Sequence, residues 1–169
     1  MVTVLTLASL GILLLYTAGI CIRAGKIPNS LSASVFDLPI GYRWQWTVVI
    51  ASVVFIIVGP LMDCTPDRWR FLCWLACAGL LFVAGCPLEQ KKTGMSYKVH
   101  MVSAIVCAVS ANILMAVCEP WLLLIWLGWV GLFVCNTRGS NQNWNTWCTK
   151  VFWAELVCFT ETYAYCLIN

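Results

Sequence analysis

The sequence predicts an all-α protein: an integral membrane bundle of six transmembrane helices, with a short interfacial helix between helices one and two. Three observations predict it. Of 169 residues, 62% are apolar and only 10% charged, whereas a soluble domain is about 25% charged. The mean hydropathy is +0.86. The apolar residues also fall into segments near the roughly 20 residues that cross a bilayer, with most helix breakers and charges between them. Ten Lys and Arg with seven Asp and Glu cannot solvate a globule of this size. That excludes a soluble enzyme, a disordered tail and a nucleic-acid binder, and the net charge of +3 has meaning only in how it is shared between loops.

Taken in order, the first span is Val2 to Ile22, followed at once by Arg23 and Lys26. The second runs from about Thr47 to Leu61 and ends at Gly59-Pro60, and the third runs from Phe71 to Cys86, closed by Pro87. The fourth, Val99 to Cys118, ends at Glu119-Pro120. The fifth, Trp121 to Cys135, is short, and the sixth runs from Thr149 to Leu167. The first span lacks a basic region ahead of it and its apolar run exceeds that of a signal peptide, so it reads as a retained anchor. The spans leave no room for a second domain, and residues 1–169 read as one transmembrane domain.

Charge distribution orients the bundle. The loops after helices one, three and five hold Arg23, Lys26, Arg43, Lys91, Lys92, Lys98, Arg138 and Lys150, while the rest of the chain holds only Arg68 and Arg70. Positive charge favours the cytoplasm, so both termini are expected on the non-cytoplasmic side. Tryptophan prefers the headgroup level. Trp44, Trp46, Trp144 and Trp147 fall at the inner boundary, and Trp69, Trp74 and Trp121 at the outer one.

Candidate chemistry centres on the last helix. Glu155 and Glu161 lie three residues either side of its centre, each within about 5 Å of the midplane at a rise of 1.5 Å per residue. A central acidic residue costs roughly 2.5 to 3.5 kcal/mol to insert, so ionisable residues there read as functional. Six positions apart they differ by about 240° around the helix, so each needs its own partner or proton. Packing alone is the competing role for both. Asn112 on helix four is placed to reach one of them. His100, the only histidine, stands at the cytoplasmic start of that helix, as a proton carrier or ligand facing Asp37 or as a hydrogen-bonded structural residue.

Pro28 and Pro39 bound the segment Asn29 to Pro39, where Asn29 or Ser30 can cap a short helix. On that helix Ser30, Ser34 and Asp37 form a polar stripe, and Leu31, Val35 and Leu38 an apolar one. The pattern fits an interfacial or partly re-entrant helix against the cytoplasmic mouth. Helix four carries two small-residue rows, Ser103, Cys107, Ser110 and Ala104, Ala108, Ala111, which let backbones approach and mark it as the central packing helix. The eleven cysteines are scattered, with no CxxC pair, and read as packing residues. Cys64, Cys118 and Cys166 fall near the outer face, where one disulfide can form in an oxidising compartment. No metal site and no cofactor is assigned.

The runs "GKIPNSLSASVFDLP", "RFLCWLACAGLLFVAGCPLE" and "YKVHMVSA" together resemble a group of uncharacterised small polytopic membrane proteins of bacteria and their phages, over roughly residues 20 to 112. That resemblance implies a compact helical bundle in a bacterial inner membrane and brings no activity with it. A more distant likeness is to the membrane hydrolases that include alkaline ceramidases and progestin-receptor-like proteins, which place a Ser, an Asp and three His around zinc. The likeness implies that Ser34, Asp37 and His100 stand for the first members of that set. Where the superfamily has histidines in its last helix, this chain has Glu155 and Glu161.

Together these features describe a small membrane protein that binds a lipid or small ligand, or moves protons or ions, through a polar site near Glu155, Glu161, Asn112 and His100. The alternatives are a membrane-embedded lipid hydrolase using Ser34, Asp37, His100 and Glu155, or a purely structural, oligomeric protein. Its expected partners are membrane lipids and further copies of itself, not nucleic acid.

Overall fold

A computed structural model describes residues 1–25, 27–86, 94–130 and 144–169, with the backbone alone for 144–150. Lys26, Pro87, Lys91, Lys92, Arg138 and the fifth span from residue 131 to Cys135 lie outside the described residues, as do the side chains of Trp144, Trp147 and Lys150. The described secondary structure is entirely helical. Its long helices are α1 (Val2–Ala24), α2 (Trp44–Cys64), α3 (Arg70–Gly85), α4 (Met95–Cys118) and α6 (Trp144–Ile168), and five helical stretches, Val2–Ala24, Ile40–Cys64, Asp67–Gly85, Met95–Cys118 and Val151–Ile168, are long and apolar enough to cross a membrane. The shorter α5 (Pro120–Val130) opens with the 3₁₀ turn Pro120–Leu124.

Each helix buries a stripe that hydropathy does not select. In α1 the buried residues are Thr6, Ser9, Leu13 and Ile20, whereas Leu7, Leu14, Leu15 and Ile22 are exposed. Lipid tails are as apolar as leucine, so hydropathy does not decide which aliphatic side chains face the bundle, and small polar ones such as Thr6 and Ser9 join Leu13 and Ile20 at the helix contacts. Gly25 ends α1 at φ +62°, its N–H bonded to the Ile22 carbonyl at 3.3 Å. Without a Cβ, glycine adopts this left-handed closure at no steric cost.

The second helix departs from expectation. Gly59-Pro60 does not end it: α2 continues to Cys64 with Pro60 inside and buried. Proline has no N–H to offer the Ile56 carbonyl, but in a membrane bundle neighbouring groups accommodate such a break. The termination falls at Thr65, where Arg70 Nε donates to the carbonyls of Met62 at 3.1 Å and Thr65 at 3.2 Å. A cation on the last carbonyls is a favourable helix end.

The closest helix approach is between α3 and α4. A Cβ on Gly79 would stand 2.8 Å from the Ser103 carbonyl oxygen and 3.0 Å from the backbone nitrogen of Cys107. The Ser103–Cys107 row therefore packs directly on α3. Trp44, Trp74 and Trp121 are 58%, 58% and 52% exposed, as girdle residues are. Trp46 differs: it is 2% exposed and packs against the Tyr16 ring inside the bundle, centroids 5.6 Å apart and planes tilted by 50°.

Side-chain bonds fix which ends lie together. Ser9 of α1 donates to the Val53 carbonyl of α2 at 3.0 Å and meets the Tyr163 hydroxyl of α6 at 2.8 Å. Farther along, the Tyr165 hydroxyl donates to the Cys64 carbonyl at 2.9 Å and lies beside Cys118. The start of α1 and the ends of α2, α4 and α6 thus share one end of the bundle. Cys64, Cys118 and Cys166 gather there as free thiols.

Candidate ligand site

The opposite end is closed by the segment between α1 and α2. It forms two 3₁₀ turns, Ser32–Asp37 and Ile40–Tyr42, rather than an α-helix. The first of them and its flanks pack into the bundle: Leu31, Val35 and Leu38 are buried, and so are Ser30, Ser32 and Ser34. Local bonds explain the tight winding. Ala33 N–H donates to Ser30 Oγ at 2.9 Å, and Ser34 Oγ donates to the Leu31 carbonyl at 2.6 Å and meets the Tyr16 hydroxyl at 3.0 Å. Serines that bond backbone three residues away favour turns over longer helix.

Glu155 anchors this segment to α6. One carboxylate oxygen accepts the Leu31 N–H and the other accepts the Ser32 hydroxyl at 3.1 Å. Hydrogen bonds to a carboxylate are about twice as strong as neutral ones, and here they satisfy a backbone donor that has no partner within its own short turn. A continuous linkage results, from Trp46 packed against Tyr16, through Ser34 and Leu31, to Glu155.

Above the turn lies a cavity of about 130 Å³ walled by α2, α3, α4 and α6. Leu31, Ser32, Trp46 and Glu155 line it at the turn, and Leu61 and Tyr163 line it farthest away. Trp46 to Leu61 is 15 residues, or about 22 Å of helix. The second small-residue row of α4, Ala104, Ala108 and Ala111, faces this space, and its missing side-chain volume helps to leave it open. Cys77, Cys107 and Cys158 also line it, as packing residues with buried, unbridged or half-buried thiols. Almost the whole wall is apolar, with its charge confined to Glu155.

The sequence-derived candidates do not all meet. Glu155 and Ser32 belong to the cavity, while Ser34 and Asp37 belong to the 3₁₀ turn beneath it. Asn112 Nδ2 donates to the Ala108 carbonyl at 2.9 Å and points at Cys158 Sγ at 3.8 Å, so it reaches α6 midway between the two glutamates. Glu161 is 1% exposed, and neither carboxylate oxygen closes a hydrogen bond; the buried indole Nε1 of Trp126 is directed towards it, also without closing one. The 2% exposed His100 engages the Cys86 carbonyl through Nδ1 at 2.7 Å, tying the start of α4 to the end of α3. Its observed role is to receive the end of a helix.

Three contributors escaped the sequence reading: Ser32, the Leu31 N–H and Trp46. An α-helical wheel places Ser30, Ser34 and Asp37 on one face, but a 3₁₀ turn advances by three residues and presents Ser32 instead. Trp46 carries no signal that separates it from the girdle residue Trp44. The zinc set implied by the distant likeness does not fit these residues. Ser34 is bonded to Leu31 and Tyr16, His100 to Cys86, and among the described residues no group of three or more His, Cys, Asp or Glu can hold a metal ion. Comparison of the chain with family models, with characterised proteins and with solved structures returns no match.

Proposed function

We propose that this membrane protein binds a small amphiphile, one chain of a membrane lipid or a molecule of similar shape, with its apolar part in the cavity and its polar end at Glu155 and Ser32. The observation that carries the reading is an apolar cavity whose lining holds a single carboxylate, Glu155. Ligand sites are commonly apolar with a few placed polar groups that fix orientation. An apolar cavity of about 150 Å³ takes up a benzene-sized molecule, so this one, at about 130 Å³, suits a small ring or several methylenes of a chain.

The charge asymmetry of the loops supports both termini on the non-cytoplasmic side, which puts Glu155 and the 3₁₀ turn towards the cytoplasmic leaflet. The likeness to small bacterial and phage membrane proteins supports a bacterial inner membrane. The hydrolase alternative has no comparable support, since His100 is engaged at the α3–α4 junction.

Native mass spectrometry of the protein released from lipid-containing micelles tests the reading. One amphiphile retained per chain is expected, and Ala108→Leu, which fills the cavity, should release it while the protein remains folded. A wild-type chain that emerges without any bound amphiphile overturns the proposal.

A further inference from the structure

Cys64, Cys73, Cys118 and Cys166 come from α2, α3, α4 and α6 and gather at the end of the bundle where α1 begins. We propose that two of them, Cys64 and Cys166, are a modification site: they give up their thiol hydrogens to a disulfide bond that ties the end of α2 to the end of α6. Scattered cysteines pack as small apolar residues, but this pair is placed for more. The Cys64 sulfur lies 3.9 Å from the Cys166 carbonyl oxygen, and the two thiols are themselves neighbours within hydrogen-bonding reach. The Tyr165 hydroxyl, donating to the Cys64 carbonyl at 2.9 Å, holds the two helix ends in register. Such fixed neighbours are what a disulfide needs, because its bond lengths and torsions leave the backbones little freedom.

The other two thiols face different partners. Cys73 is 0% exposed, with its sulfur 3.4 Å from Thr65 Oγ1 and 3.9 Å from the Leu61 carbonyl oxygen. Cys118 lies against the Tyr165 hydroxyl. Exposure also separates the roles within the pair. Cys64 is half-buried beside the exposed Asp63, whereas Cys166 is 1% exposed. A small disulfide in solution, such as oxidised glutathione, therefore meets Cys64 first. The Cys64 sulfur, having lost its proton, attacks one sulfur of the reagent and expels the other, which leaves as a thiol. Cys166 then loses its proton, attacks the Cys64 sulfur and expels the second thiol. The chain gives up two protons and two electrons, and the reagent is reduced to two thiols. The loop charges favour the non-cytoplasmic side for this end, and an oxidising compartment is where such a bond persists.

The test treats purified full-length protein in micelles with oxidised glutathione, alkylates the remaining thiols on denaturation, and maps peptides without reductant. One linked pair, Cys64 with Cys166, is expected, with the intact mass lower by the lost thiol hydrogens and full reversal by reductant. Cys118→Ala should keep the bond. Cys166→Ala should abolish it and leave a lasting glutathione adduct on Cys64. The same mapping of protein alkylated in its native membrane, before extraction, should find the bond already formed. Alkylation of all eleven cysteines after oxidation, a lasting glutathione adduct on wild-type Cys64, or a bond from either residue to Cys73 or Cys118 would overturn the pairing. A bond that forms in micelles but is missing from the membrane-alkylated protein would overturn its formation in the cell.

Discussion

Glu155 and Gly79 show how single residues act in this bundle through what they leave no room for. Glu155 is the acceptor for a backbone N–H that has no other use. Glu155→Leu should therefore destabilise by about 1–3 kcal/mol, the cost of a buried unsatisfied donor, whereas Glu155→Gln keeps one acceptor oxygen and should lose less than half of that. Thermal unfolding in detergent separates the two variants, and equal losses would contradict the anchoring role. Gly79 acts by absence. Its missing Cβ would fall 2.8 Å from a backbone oxygen that cannot rotate away, so Gly79→Ala should cost about 1–3 kcal/mol by overpacking. Gly59, with open space around its Cβ position, supplies the control and should tolerate alanine with little change.

Among the elements, the α2–α3 connection and the 3₁₀ turn carry most of what is unusual. Arg70 enters a charge count as an outer-loop cation, yet its Nε bonds the two carbonyls at the end of α2. Its ion pair with Asp67, at 2.7 Å and largely exposed, adds little. Arg70→Met is expected to lower stability by about 1 kcal/mol through the lost cap and to leave membrane orientation unchanged; an inverted orientation would show that its charge, not its hydrogen bonds, matters. In the 3₁₀ turn, Ser34 links Tyr16 to the Leu31 carbonyl. Ser34→Ala should loosen the turn beneath the cavity, and faster hydrogen exchange at Leu31 and Ala33 than in wild type would report it.

For the whole molecule, the side-chain bonds dictate which helix ends lie together. α1 begins and α6 ends at the same end of the bundle, next to the end of α4, while α6 meets the 3₁₀ turn at the opposite end through Glu155. Cys118 and the start of α6 therefore stand at opposite ends of the bundle, with the short apolar α5 following Cys118. Topology reporters fused at the N- and C-termini should report the same side of the membrane. Opposite sides would break the arrangement in which Tyr163 meets Ser9.

The membrane-compatible composition, the α-helical class and five of the six approximate spans were legible in the sequence, because solvation by lipid acts residue by residue and needs only length and apolarity. The separate surroundings of Glu155 and Glu161 were legible too, since helical spacing alone turns them to different faces. Which polar groups meet was not. In lipid an apolar side chain is as well placed outward as inward, so hydropathy could not choose the buried stripe of α1, separate Trp46 from Trp44, or reveal the cavity behind the alanine row. Pro60 inside α2, the 3₁₀ winding that presents Ser32, and the engagement of His100 by Cys86 are likewise settled by neighbours distant in sequence. The chain alone determined that the protein is a helical bundle with segments apolar and long enough to cross a membrane; only tertiary packing decided where a carboxylate, an indole and an apolar cavity converge, because that depends on contacts between helices that no local pattern encodes.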